Sequence, residues 1–193
     1  MGRRILVING HPDPRAERLC AALAQAYAQG AAAGGHEVRH LSVGALDFPL
    51  IRDASSFSDG APPPAIAGAQ ESVRWADHLF IVHPLWLGAA PALLKGFFEQ
   101  VFRYGFAIEP GSRSLSGLLR GRTARVVVTM GMPAFLYRTA FGAFGIRAFE
   151  RGVLMLSGIS PVRHTLLGGV EAAPLARRDT WLDAMRRLGR AAH

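Results

Sequence analysis

The sequence predicts a doubly wound α/β fold: a five-stranded parallel sheet with helices on both faces. Three observations carry that prediction. Five short β-branched or aliphatic runs alternate with segments of helical composition along the chain. Two of these runs are apolar nearly throughout, as a sheet covered on both faces requires. The length of 193 residues suits a single domain spanning 1–193, able to hide roughly 70% of its unfolded surface without disulfides or metals.

Arg4 to Asn9 is the first strand, ending in Gly10-His11-Pro12, and Ala16 to Ala33 has helical composition until Gly34-Gly35 stops it. His36 to Leu41 reads as a second strand, so the chain opens with a βαβ unit whose strands should be parallel. Asp77 to Val82 is the third strand, Ala124 to Thr129 the fourth, and Pro161 to Leu167 the last. Helices are expected at about 65–76, 91–102, 139–156 and 173–190. Ser55 to Pro64 and the Gly-, Ser- and Arg-rich Glu109 to Arg122 read as surface loops.

Composition narrows the function. The net charge is +8, but the arginines are scattered, in pairs at most, so no nucleic-acid surface is expected. Phosphate-bearing ligands would still be attracted. Phe141 to Ile159, the richest apolar stretch, is broken by Arg147, Glu150 and Arg151, which argues against a membrane span. The apolar run behind Met-Gly-Arg-Arg is too short for a signal-peptide core, so the expected address is the cytoplasm. Cys20 is the only cysteine, which leaves no internal disulfide and no cysteine-based zinc site. His36, His40, His78, His164 and His193 lack metal-ligand spacing, and no metal is assigned.

In an open α/β sheet the ligand crevice lies outside the carboxyl ends of the strands, where strand order reverses. That singles out three segments. Gly10 to Leu19 leads into a helix start, where free amides suit a phosphate and Arg15 and Arg18 add donors. The same residues also fit an ordinary βα turn, and no dinucleotide or nucleotide-triphosphate glycine motif is present. His83 to Phe98 keeps Leu85, Trp86 and Leu87 where polar residues are expected, which asks for an apolar cover: a flat aromatic ligand, or the core itself in the case of Trp86. Thr129-Met130-Gly131 permits close backbone approach, and Tyr137 offers a hydroxyl.

The run from His83 to Phe102, with Pro84-Leu85-Trp86 followed by Pro91-Ala92-Leu93-Leu94-Lys95-Gly96-Phe97-Phe98-Glu99, resembles the signature of the flavodoxin-like NAD(P)H:quinone oxidoreductases. That family includes DT-diaphorase, modulators of drug activity and the ancillary subunits of potassium-efflux systems. The likeness extends to His11, to Ala45 to Ile51, to Thr129 and Gly131, and to the last strand and helix. It implies a flavodoxin-like fold, a bound FMN or FAD, NADPH or NADH as electron donor, a quinone-like acceptor and a homodimer. It places His11, Arg18 and Leu19 at the flavin phosphate, Pro84, Leu85, Trp86 and Leu87 against the isoalloxazine ring, and Thr129, Met130 and Gly131 at its pyrimidine end. It also implies two-electron, ping-pong transfer through flavin N5, with Tyr137 as the catalytic side chain. Two features depart from the family. The His that accompanies the family's Tyr is replaced by Ala143, and the first loop lacks Ser/Thr-rich phosphate contacts. The potassium-efflux relatives supply the alternative of a flavin-binding regulatory subunit that docks on a membrane transporter. Phe135, Phe141, Phe144, Phe149 and Leu154 exceed what one helix face needs, and are expected either in the core or at a dimer interface that caps the flavin.

Overall fold

The computed structural model describes residues 2–58, 60–110 and 117–193. Strands β1 (Arg4–Asn9), β2 (Glu37–Ser42), β3 (His78–Pro84), β4 (Thr123–Met130) and β5 (Val162–Gly168) form one sheet in the order β2-β1-β3-β4-β5, every neighbouring pair parallel. This is the expected doubly wound, flavodoxin-like α/β arrangement. Strand β3 is buried along its whole length and β4 at all but its first residue. These are the two central strands with near-continuous apolar runs, and both of their faces are covered.

Helix α1 (Leu19–Ala33) and helix α7 (Leu175–Arg190) cover one face, where Ile5, Val7, Phe80, Val82 and Val127 meet Leu23, Tyr27 and Met185. Helices α3 (Pro64–Trp75) and α4 (Ala92–Val101) cover the other, where Leu6, Ile8, Ile81, Val126 and Val128 meet Ile66, Val73, Phe97 and Phe98. The outer strands are less protected. Strand β2 carries Arg39 and β5 carries Arg163, charges of the kind that discourage pairing at an open edge.

Three expectations need correcting. The first helix begins at Leu19 rather than Ala16, because Asp13 draws Arg15 and Arg18 into a turn closed by the Arg18 amide on the Arg15 carbonyl (3.3 Å). The expected loop from Ser55 to Pro64 opens with a short helix, α2 (Ala54–Ser58). Asp53 caps it, its Oδ1 accepting from the Ser56 amide at 2.7 Å. The single helix expected over 139–156 is divided into α5 (Ala134–Thr139), α6 (Phe144–Phe149) and a π-helical turn, Glu150–Met155. Gly142 and Ala143 interrupt it with left-handed φ angles of 58° and 50°. Of the expected loop from Glu109 to Arg122, residues 111–116 lie outside the described residues. Among the described residues no helix is long and apolar enough to cross a membrane.

Candidate functional site

The order β2-β1-β3-β4-β5 reverses between β1 and β3, so the crevice should open above the carboxyl ends of these strands and of β4. There the chain builds a tight turn from Trp86 to Ala89, closed by reciprocal backbone hydrogen bonds of 3.0 Å between the two end residues. Leu87 and Gly88 sit at its tip with φ of 47° and 79°. Positive angles at both positions define a turn that glycine accepts freely and leucine does not; the left-handed conformation costs a non-glycine residue about 1–2 kcal/mol. The tip is apolar and bare. Leu87 is fully exposed and Trp86 half exposed, while the amides of Leu87 and Gly88 find no acceptor among the described residues.

The turn is anchored from below and behind. The Leu85 amide donates to the Thr129 carbonyl at 2.7 Å, tying it to β4. The Tyr137 hydroxyl donates to the Gly88 carbonyl at 3.1 Å and accepts from the Ile146 amide at 3.2 Å. Gly145 abuts the same turn so closely that a Cβ there would stand 2.0 Å from the Gly88 oxygen. Between this turn and the loop after β4 opens a cleft of about 460 Å³, lined by Leu85, Leu87, Gly88, Met130, Gly131, Met132 and Phe141. The volume is that of a small-ligand site.

On the β1 side, His11 sets its ring edge-on to Trp86, centroids 6.0 Å apart. Its Nδ1 accepts from the Asp13 amide at 3.0 Å, so the neutral ring carries its proton on Nε2. Partial burial and the neighbouring Arg18 push its pKa below the usual value, which favours that neutral form. Asp13 holds Arg15 through an ion pair of 2.6 Å and also pairs with Arg18, whose Nε lies 2.7 Å from the carboxylate. These guanidiniums hold the Asp13 carboxyl well below the usual carboxylate range. Helix α1 starts just behind, at Leu19, with no side-chain cap on its first-turn amides.

The structure thus brings Leu85, Leu87, Met130 and Gly131 into one cleft and sets His11 and Trp86 beside it. Other candidates stand differently. Pro84 is buried at the end of β3, and its carbonyl accepts from His83 Nδ1 at 2.9 Å. Thr129 and Met130 are buried, and the Thr129 hydroxyl lies 3.5 Å from Cys20 Sγ, so these two can offer a ligand little beyond their backbone. Burial pushes the Cys20 thiol up to about 11, which makes it inert as a nucleophile. Leu19 is half-buried in the first turn of α1, and Arg18 is engaged by Asp13. Tyr137 is buried, its hydroxyl donating to the Gly88 carbonyl and accepting from the Ile146 amide. Phe149 and Leu154 belong to the core, whereas Phe135, Phe141 and Phe144 are exposed. Sequence reasoning missed Met132, whose only signal is its place after β4.

A flat, partly polar ring fits these features. Bare apolar surface at Trp86 and Leu87 offers contact, unpaired amides at Leu87 and Gly88 offer donors to a polar edge, and the uncapped start of α1 beside His11 suits a phosphate.

Comparison with known proteins bears on the fold. Residues 3–190 match the family described as flavodoxin-like fold. A ribosyldihydronicotinamide dehydrogenase-like protein of Penicillium crustosum is 26% identical over 200 residues, covering 89% of this chain and 71% of the fungal protein. The human ribosyldihydronicotinamide dehydrogenase (quinone) is 39% identical over 72 residues, which are 37% of this chain and only 31% of the human one. The NAD(P)H:quinone oxidoreductase of Methanothermobacter marburgensis has the same fold, with a TM-score of 0.81 at 24% identity over 98% of this chain and 96% of its own. With almost its whole length matched, and with the sheet order and the crevice that go with that match, the chain belongs to the flavodoxin-like fold family.

Proposed function

We propose that this chain is a flavin-dependent NAD(P)H:quinone-type oxidoreductase whose flavin lies in the cleft between the Trp86–Ala89 turn and the loop after β4. The observation that carries this reading is the bare turn tip, with exposed Trp86 and Leu87 side chains and unpaired Leu87 and Gly88 amides on an otherwise well-packed sheet. The names of the Penicillium and human relatives point the same way. A bound flavin supplies two-electron chemistry, accepting from NADPH or NADH and passing the pair to a quinone-like acceptor. The protein's part is placement. Pro84 to Leu87 support the ring, the backbone from Thr129 to Gly131 meets its pyrimidine end, and His11, through its Nε2 proton, joins the Leu19 end of α1 in holding the phosphate of FMN or FAD. Arg18 joins them only by exchanging Asp13 for the ligand. Tyr137 positions the turn and does not touch the reacting atoms. Phe141 lines the cleft, and exposed Phe141 and Phe144 suit a homodimer interface.

The visible spectrum of the purified protein, recorded before and after anaerobic NADPH and then NADH, tests the reading. Flavin bands that bleach with either donor and return with a quinone support it, as does sedimentation at twice the chain mass. A protein that stays colourless after incubation with FMN and with FAD refutes it.

A further inference from the structure

The amino ends of β3, β4 and β5, at the opposite end of the sheet from the cleft, carry a second polar cluster on the face under α1 and α7. Arg125 of β4 is in register with Arg163 of β5, so two arginines leave the same face from strands about 4.8 Å apart. Like charges set side by side on neighbouring strands repel. Arg125 is only 9% exposed; its Nη1 donates to the Thr165 hydroxyl at 2.8 Å, while its Nε is buried with no hydrogen-bond partner among the described residues. His78 of β3, 2% exposed and stacked on Tyr27, shares this layer. Its Nδ1 meets the Thr123 hydroxyl at 2.6 Å, and its Nε2 is a second buried atom without a partner. Arg163 reaches His193 Nδ1 at 2.8 Å, and Arg3 donates to the Ala192 carbonyl at 3.2 Å. Among the described residues no Asp or Glu pairs with Arg125 or Arg163. Asp77 is held by Arg4 at 2.8 Å, and Glu150 by His164 at 2.7 Å, on the other face of β5.

A buried cation without a counter-charge is costly, and so is a buried donor with nothing to receive it. We propose that this cluster is a site for a small tetrahedral oxyanion, inorganic phosphate or sulfate, held between Arg125 and Arg163. The guanidinium fork matches the oxygens of such an ion, and the Thr165 hydroxyl, which accepts from Arg125, still has its own proton to give. Arg163 and His193 are exposed, so the ion reaches the cluster from solvent. The net charge of +8 draws it in. The site stands apart from the Trp86–Ala89 turn and does not depend on the oxidoreductase reading.

The test is the thermal midpoint of the full chain, with FMN present, as phosphate or sulfate replaces chloride at constant ionic strength. A ligand bound by the native state alone raises the midpoint along a saturable curve, expected in the millimolar range, whereas the general stabilisation by these salts does not saturate and is shared by every variant. The wild type should show the saturable rise. Arg163→Gln, a change at an exposed side chain, should raise the half-saturating phosphate concentration about tenfold. Arg125→Met, which keeps an unbranched stem, should abolish the saturable part; if that variant does not fold, Arg163→Gln decides alone. A wild type with no saturable rise overturns the proposal. So does a rise that Arg163→Gln leaves unchanged, which would place the phosphate elsewhere, as at the start of α1 beside His11.

Discussion

Tyr137 is the residue at which position and chemistry part most clearly. Its hydroxyl bridges the Gly88 carbonyl and the Ile146 amide, so it acts as a strut between the turn and the start of α6. Removing that oxygen leaves two backbone groups without their partner, at a cost of about 1–3 kcal/mol. Tyr137→Phe should therefore lower the unfolding free energy from urea titration by that much and weaken flavin binding, while the rate of a fully loaded enzyme changes little. A variant that unfolds like the wild type but loses turnover would return the hydroxyl to the reaction. Leu87 makes the complementary point. A bulky residue in a left-handed conformation at an exposed turn tip stores strain, and strain of this kind gathers at binding sites.

At the scale of elements, α1 and α7 cross where two glycines let their backbones touch. A Cβ on Gly30 would stand 2.0 Å from the Arg186 carbonyl oxygen, and one on Gly189 would stand 2.1 Å from that of Tyr27. Alanine is the better helix former by about 1 kcal/mol, but forcing two helices apart in a packed layer costs about 1–3 kcal/mol or more, so the steric term wins. Gly30→Ala should destabilise the fold by about 1–2 kcal/mol in chemical denaturation; a gain in stability would show that the crossing relaxes freely. These elements were legible in the sequence to different depths. The strands were plain, because buried parallel strands write continuous apolar runs such as Leu79 to Val82 and Val126 to Val128. The break between α5 and α6 had a signal only in Gly142, which takes a left-handed angle freely; nothing local marks Ala143 for the second one. Helix α2 had a readable signal in Asp53 ahead of Ala-Ser-Ser, a capping residue hidden in a stretch that otherwise reads as loop. In the site, the turn residues were legible as apolar side chains out of place. The pairing of Asp13 with Arg18 was not, since it depends on how the turn ahead of α1 closes.

At the scale of the whole molecule, the sheet buries two imidazoles that bear on stability against pH. His83 is buried against Phe149, and desolvation pushes its pKa down to about 4. His78 is pushed to about 3 by burial first and then by the nearby Arg3 and Arg125. In the unfolded chain both titrate near 6.5. Below that value the unfolded state takes up protons that the native state refuses, so stability is intact above about pH 6.5 and falls as the pH drops towards 4 and then 3. Each pK unit is worth about 1.4 kcal/mol, so the loss amounts to a few kcal/mol. Urea midpoints measured from pH 7 down to pH 4 should decline steadily, and less steeply in His83→Leu. A flat profile would mean that both rings are charged or solvated in the folded protein.

The Trp86–Ala89 turn has one more consequence. It is gripped by β4 through Leu85, by Tyr137 from behind and by Gly145 at close contact, all within the chain itself. Its ordering entropy is therefore given up during folding, so a ligand meets a rigid template and keeps more of its contact energy as affinity.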